Sequence, residues 1–199
     1  MTKIIDVTKP IENGKCYYPS LTAPEINLLR HFSLGHNRWT SSICMPLHTA
    51  THIDAPAHFF SDGKTVDSIP LNHLITFAQV IDCSNKEVIT KRDLTGRDFL
   101  ATLLFKTKSD LESYTHFDME AANFIVKKGV RNVGTEAQSV DRFGDPEYPV
   151  HKTLLGNNII IVEGLNLEQV KEGVYLFVCL PLLIKNVEAA PARALLIEI

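Results

Sequence analysis

The segment His48-Thr-Ala-Thr-His52-Ile-Asp54-Ala-Pro56-Ala-His58 sets three imidazoles and one carboxylate in a single short run, with a proline among them. Imidazole nitrogen and carboxylate oxygen at close spacing suit a divalent transition metal, and Zn²⁺ binds them at about 2.0–2.2 Å. A straight strand would hold His48 and His52 about 13 Å apart, beyond the reach of one ion. In a helical turn the same pair are neighbours, with β-carbons roughly 5–6 Å apart. Pro56 biases Ala55 to extended backbone, so the spacing predicts a compact helical turn that carries His48 and His52 and ends at Asp54. These three side chains would converge on one ion and leave a position for water, as catalytic zinc sites do. His58 lies past the proline and is the candidate for proton transfer, because imidazole titrates near neutrality. The plainer reading is a strand whose polar face happens to carry histidines.

A second cluster follows about a hundred residues later. Ile159-Ile160-Ile161-Val162, bounded by Asn157-Asn158 and Gly164, reads as a buried strand with Glu163 at its carboxyl end. Asn166-Leu-Glu-Gln169 has the capping-box pattern and predicts a helix directly after it. Glu163 would then sit in a βα turn, where ligands and catalytic groups of α/β proteins collect. The alternative is an exposed loop carboxylate. His151 opens the stretch His-Lys-Thr-Leu-Leu-Gly just upstream.

On these residues the chain resembles the bacterial cyclase family of metal-dependent hydrolases, and within it the kynurenine formamidase-like members. The family's mark is His-x-Gly-Thr-His-x-Asp-x-Pro-x-His, matched here from His48 to His58 except at Ala50. Gly134-Thr-Glu-Ala-Gln-Ser139-Val-Asp141 resembles the family segment ending in Ser-Val-Asp, and His151 and Glu163-Gly-Leu resemble its later ligand positions. Leu180-Pro-Leu-Leu and Ala190-Pro-Ala-Arg193-Ala resemble its closing strands. The resemblance implies that His48, His52 and Asp54 bind one metal ion. In members with two ions, Asp54 would bridge to a second held by His151 and Glu163, and His58 would be the general acid/base. It implies Zn, as one or two ions, with Mn or Fe also compatible with these donors. It further implies hydrolysis of a small amide, formamide or cyclic amide, N-formylkynurenine being one candidate, and a homodimer or higher homo-oligomer. Two residues depart from the family pattern. Ala50 replaces a glycine and is strained if that position needs positive φ, and Glu136 replaces an aspartate, which could alter contacts near the substrate.

A rival reading keeps the scaffold as a non-catalytic metal- or small-molecule-binding protein, but a spare imidazole at His58 has no evident use there. A structural zinc domain would want thiolates, and Cys16, Cys44, Cys83 and Cys179 are too scattered for that or for a disulfide framework. They predict reduced thiols in a cytoplasm. No Gly-x-Ser-x-Gly elbow appears anywhere, so Ser139 is not a credible nucleophile, which separates the chain from serine-type formamidases.

Composition fits a soluble enzyme. A chain of 199 residues with 45% apolar content can bury one core and predicts a single domain over residues 1–199. A net charge of −3 without a long basic run argues against nucleic acid or an anionic membrane as partner. The opening residues lack the apolar stretch of a signal peptide. The longest apolar run, Tyr175 to Ile184, contains Pro181 and is about half a membrane span, so it reads as a core strand.

The elements that must position these side chains read as mixed α/β. The alternation around Trp39 predicts an extended segment leading into the histidine motif. Phe77 to Asp82, Leu100 to Lys106 and Val130 to Val133 predict strands. Asp118 to Lys128 predicts a helix, with Met119, Ala122 and Val126 on one face and Gly129 as its stop. Thr90-Lys-Arg-Asp93 marks a helix cap or a tight loop. The resemblance makes this a strand-rich, partly barrel-like core flanked by helices, of the swivelling β/β/α type. His31, His36, His73 and His116 have no partners at metal spacing and read as surface or structural residues. His36 and Trp39 are nonetheless candidates for the pocket lining, as are Tyr17, Tyr18 and Pro19 unless the tyrosines form a buried pair.

Overall fold

A computed structural model describes residues 2–199. In chain order its strands are β1 (Ile4–Asp6), β2 (Glu25–Arg30), β3 (Thr40–Cys44), β4 (His52–Asp54), β5 (Ile75–Asp82) and β6 (Val88–Ile89). They continue as β7 (Thr102–Lys106), β8 (His116–Phe117), β9 (Asn132–Thr135), β10 (Ile160–Glu163), β11 (Gly173–Pro181) and β12 (Ala189–Glu198). The helices are α1 (Leu71–Leu74), α2 (Lys91–Leu94), α3 (Met119–Lys127) and α4 (Pro149–Gly156).

Seven strands close on themselves in the order β12-β11-β5-β7-β9-β10-β4, with β4 returning to β12. The barrel-like, mixed α/β core is thus as expected. The run β5-β7-β9-β10 is parallel, while β4, β11 and β12 pair antiparallel with their neighbours. β1 lies beside the second half of β12, and β2 and β3 form a separate hairpin.

Period-two alternation builds two apolar layers from the same strands. Ile160 and Val162 of β10 and Leu104 of β7 face inward with Ile53, Phe177 and Leu196. Ile161, Leu103 and Phe105 face outward, under Ile125 of α3 and Leu154 of α4. Packing is tight around β9. A methyl added to Gly134 on β9 would lie 2.5 Å from Cδ2 of Leu104 and 2.9 Å from Leu165. The barrel is therefore a packed core, each fully buried aliphatic or aromatic side chain contributing about 1.5–3 kcal/mol.

Most local expectations hold. The Asp118 side chain accepts the Ala121 N–H at 2.7 Å to cap α3, and Gly129 at φ 71° ends it. Thr90 and Asp93 form a reciprocal capping box on α2. The helix expected after Asn166 is absent. There the Asn166 N–H bonds the carbonyl of Val7 and the Leu167 N–H bonds Glu136 Oε1 at 2.7 Å. Those tertiary bonds, and the start of β11 at Gly173, leave only a turn closed by Val170 N–H on the Leu167 carbonyl. None of the helices among the described residues is long and apolar enough to cross a membrane.

Candidate metal centre

The histidine motif does not form the expected helical turn. β4 pairs on both edges, His52 lying opposite Glu163 of β10 and Pro191 of β12, and this ladder outcompetes a local turn. His48 reaches His52 by another route. Ala50 adopts left-handed backbone at φ 57°, and the reversal brings the two rings to 5.1 Å between centroids. Gly164 makes room for that reversal, since a β-carbon there would fall 2.2 Å from the Ala50 carbonyl oxygen. Ala50 thus stands where positive φ is required, the strained case foreseen for this departure.

Strand parity then sorts the side chains. Ile53 points into the barrel, so His52 and Asp54 point out, and Glu163 shares their side because Val162 is inside. The site lies between the barrel wall and α4, which supplies His151. Pro149 starts α4, with Val150 and Leu154 on its buried side. That proline and spacing were the available signal for a helix that sequence reasoning missed. His58 follows Pro56 in a short 3-10 turn, its ring 4.3 Å from that of His48.

Asp54 is at the centre. Its Oδ1 lies 2.9 Å from His48 Nδ1 and 3.4 Å from His52 Nε2, and its Oδ2 lies 3.5 Å from His151 Nε2. Glu163 faces His52 Nε2 at 3.4 Å and His151 Nε2 at 3.2 Å. The structure therefore brings all five sequence-predicted ligands together. His58 stands close as well: His48, Asp54 and His58 form one set of donor atoms within 4.8 Å of one another, and His52, Asp54 and Glu163 form another.

The surroundings fix which nitrogen each ring presents. His52 Nδ1 lies 3.1 Å from the Ala50 carbonyl, which only a protonated nitrogen can satisfy, so its Nε2 lone pair faces the carboxylates. His151 Nδ1 lies 2.6 Å from Asp141 Oδ2, leaving its Nε2 turned the same way. Asp141 also accepts the N–H groups of Val150 at 2.7 Å and His151 at 3.0 Å. Asp141, the last residue of the Ser-Val-Asp segment, thus anchors both α4 and the His151 ring. Glu163 Oε1 accepts the Val140 N–H at 2.9 Å.

Lone pairs of His52 and His151 thus converge on the oxygens of Asp54 and Glu163. Among the described residues, His52 Nε2 and both oxygens of Asp54 are buried without a hydrogen-bond partner. Such groups cost free energy unless a cation or proton joins them. Without a cation, protons take that place. Burial opposes a charged His52, but Asp54 and Glu163 outweigh it and raise its pKa to about 9. Burial likewise opposes a charged His151, and Glu163 and Asp141 hold its pKa well above the usual range. Against burial, Asp54 is lowered by His48, His52 and His151, and Glu163 by His151 and His52. Two nitrogens and two carboxylates that all seek positive charge fit a divalent metal.

A cavity of about 270 Å³ opens onto this cluster. Tyr18, Leu21, Phe59 and Tyr148 supply its apolar wall, and Gln138 and Ser139 its polar side. Tyr148 holds left-handed backbone at φ 46° directly before Pro149, which aims its ring at Phe59, 5.5 Å away. Of the expected lining residues only Tyr18 takes part. Tyr17 is buried with its hydroxyl on the Pro10 carbonyl, and His36 and Trp39 are exposed elsewhere, Trp39 against His31. Glu136 does not reach the cavity either. Its carboxylate accepts the N–H groups of Thr107 and Leu167, and burial raises its pKa.

A barrel closed by β4, with this donor set on its outer wall under α4, defines the class. The family model "Putative cyclase" matches residues 5–142, and the chain belongs to that family. A kynurenine formamidase of Bacillus cereus is 32% identical, the match covering 96% of each chain. A solved structure described as a potential metal-dependent hydrolase with cyclase activity is 35% identical, with a TM-score of 0.87 over 100% of this chain and 99% of that one. Isatin hydrolase A from Labrenzia aggregata shares the fold at a TM-score of 0.86 and 22% identity, over 98% of this chain and 93% of its own.

Proposed function

We propose that the chain is a metal-dependent hydrolase of a small amide, formamide or cyclic amide. In this reading His48, His52, Asp54, His151 and Glu163 hold Zn²⁺, or Mn or Fe, and His58 moves the proton. The observation that carries it is the set of buried, unpartnered acceptor atoms on His52 and Asp54. The division of Asp54, Oδ1 toward His48 and His52 and Oδ2 toward His151, suits a carboxylate bridging two ions. The similarity to kynurenine formamidases supports the substrate class, with N-formylkynurenine as first candidate.

When bound, such an ion polarises a carbonyl and brings water toward ionisation near neutral pH. The chain's own groups do the rest. Burial lowers the His58 pKa, and His48 and His151 lower it further, against the pull of Asp54. His58 is therefore a neutral imidazole at pH 7, able to take a proton from the attacking water and return it to the leaving nitrogen. Tyr18, Phe59 and Tyr148 exclude solvent on one side and offer flat apolar contact to a small substrate.

We also propose that the chain self-associates. Phe77, Leu176 and Ile197 stand in one cross-strand row on β5, β11 and β12, and Ile75, Val178 and Leu195 stand in the next. On these outward rows Phe77 is 54% and Ile75 47% exposed. Exposed apolar rows of this kind suit the face that a stable dimer buries, about 800 Å² per partner. The four free cysteines support a cytoplasmic setting.

Metal analysis of purified protein, followed by assay on N-formylkynurenine, other formamides, cyclic imides and isatin-like lactams, tests the hydrolase reading. Turnover abolished by chelation and restored by Zn²⁺ is the expected result. Full metal loading with no turnover on any of them would favour a binding protein on the same scaffold.

A further inference from the structure

An imidazole binds a metal through one nitrogen when its other nitrogen holds the proton, and an acceptor at that second edge fixes both tautomer and ring plane. His52 and His151 have such acceptors in the Ala50 carbonyl and Asp141. His48 presents Nδ1 to Asp54, and its outer edge is the remaining one. There Nε2 lies 3.4 Å from Glu188 Oε1.

We infer that Glu188 is a positioning residue for His48, holding the ring so that Nδ1 faces the metal centre. This rests on the metal-site reading above. The backbone around Glu188 is fixed by the very loop that carries His58. Its carbonyl accepts the Ala55 N–H at 2.9 Å, and the Val187 carbonyl accepts the Val66 N–H at 3.0 Å. The Asn186 N–H bonds Asp67 Oδ1 at 3.1 Å, and Ala189 stands in register with Asp54. The carboxylate itself has no competing role: among the described residues its only ion-pair partner is His48. His48 has 18% of its side chain exposed, against 3% and 4% for His52 and His151, so it has the least packing to hold its plane. A polar partner therefore matters more for this ring than for the other two.

Groups that orient a metal-binding histidine in this way are worth about 10–100-fold in metal affinity. Glu188 is partly open to solvent, which places the expected effect near the lower bound. The test compares wild type, Glu188→Ala and Glu188→Gln by Zn²⁺ competition against a chromophoric chelator, by the Co²⁺ absorption spectrum, and by thermal unfolding of the metal-free proteins. Glu188→Ala should bind Zn²⁺ about tenfold more weakly with an altered Co²⁺ spectrum, and Glu188→Gln, which keeps an acceptor oxygen, should recover most of the loss. The metal-free unfolding temperatures should agree. Wild-type affinity and spectrum in Glu188→Ala would overturn the assignment. So would equal losses in both variants with lowered metal-free stability, which mark a merely structural residue. If wild type itself takes up no metal, the metal-centre reading fails and this inference falls with it.

Discussion

Replacing Asp141 with asparagine changes neither size nor shape, yet the hydrogen bonds around it admit no painless outcome. Oδ1 accepts the Val150 N–H, while Oδ2 accepts both the backbone N–H and Nδ1–H of His151. Asparagine has one acceptor oxygen and one donor NH₂. With the oxygen toward His151, the NH₂ confronts the Val150 N–H, donor against donor. With the oxygen toward Val150, the NH₂ confronts both His151 donors, and relief requires moving the ring proton to Nε2. That tautomer no longer offers a lone pair to the metal. Each buried donor left unpaired costs about 1–3 kcal/mol, and the lost charge-assisted bond belongs to the same range. We expect Asp141→Asn to lose about 2–3 kcal/mol, which lowers Tm by roughly 4–12 °C for a chain of this size. Zn²⁺ affinity should fall about 10–100-fold. Thermal unfolding of the chelator-treated protein reads the first effect and chelator competition the second. A variant with wild-type Tm and wild-type affinity would refute the role given to Asp141.

Other outcomes follow from the same geometry. His52→Ala and Asp54→Ala should lose most bound metal by elemental analysis, whereas His58→Ala should keep it and lose about 10²–10⁴-fold in kcat; metal loss in the His58 variant would make that residue a ligand. In the metal-free chain the His52 pKa is raised to about 9 from an ordinary value of 6.5. Its contribution to stability is therefore fully present below about pH 6.5 and is lost as pH rises through about 9. Chelator-treated protein should accordingly show a falling Tm over that window, and Zn²⁺ should flatten the curve; a flat curve without metal would contradict the pairing. Phe77→Glu places a charge on the exposed apolar rows and should convert a dimer to a monomer by sedimentation. A monomeric wild type at micromolar concentration would remove the self-association proposal.

Donor types and strand periodicity could be read from the sequence because each is local. The alternation that makes β10 a strand and the Asp118 cap of α3 depend on neighbours a few residues away. The path through the histidine motif could not be read, because β4 owes its extended form to β10 and β12, more than a hundred residues distant. A helical turn was the only local way to bring His48 to His52, whereas the fold uses a left-handed alanine admitted by Gly164. The capping-box pattern after Asn166 failed for the same reason, its N–H groups being claimed by Val7 and Glu136. Asp141 and Glu188 went unassigned because their roles exist only once α4 and β12 are docked.

The closure of the barrel by β12 has a consequence for biosynthesis. His52 and Asp54 leave the ribosome long before Pro191 and Ala189, the residues that pair with them on one edge. At about 5–20 residues per second, the interval is on the order of ten seconds. Throughout it the motif lacks the ladder partner that makes it a strand on that side, and Glu163 and His151 have yet to arrive for most of the time. The full donor set is therefore assembled only in the finished chain, after β12 has closed the barrel.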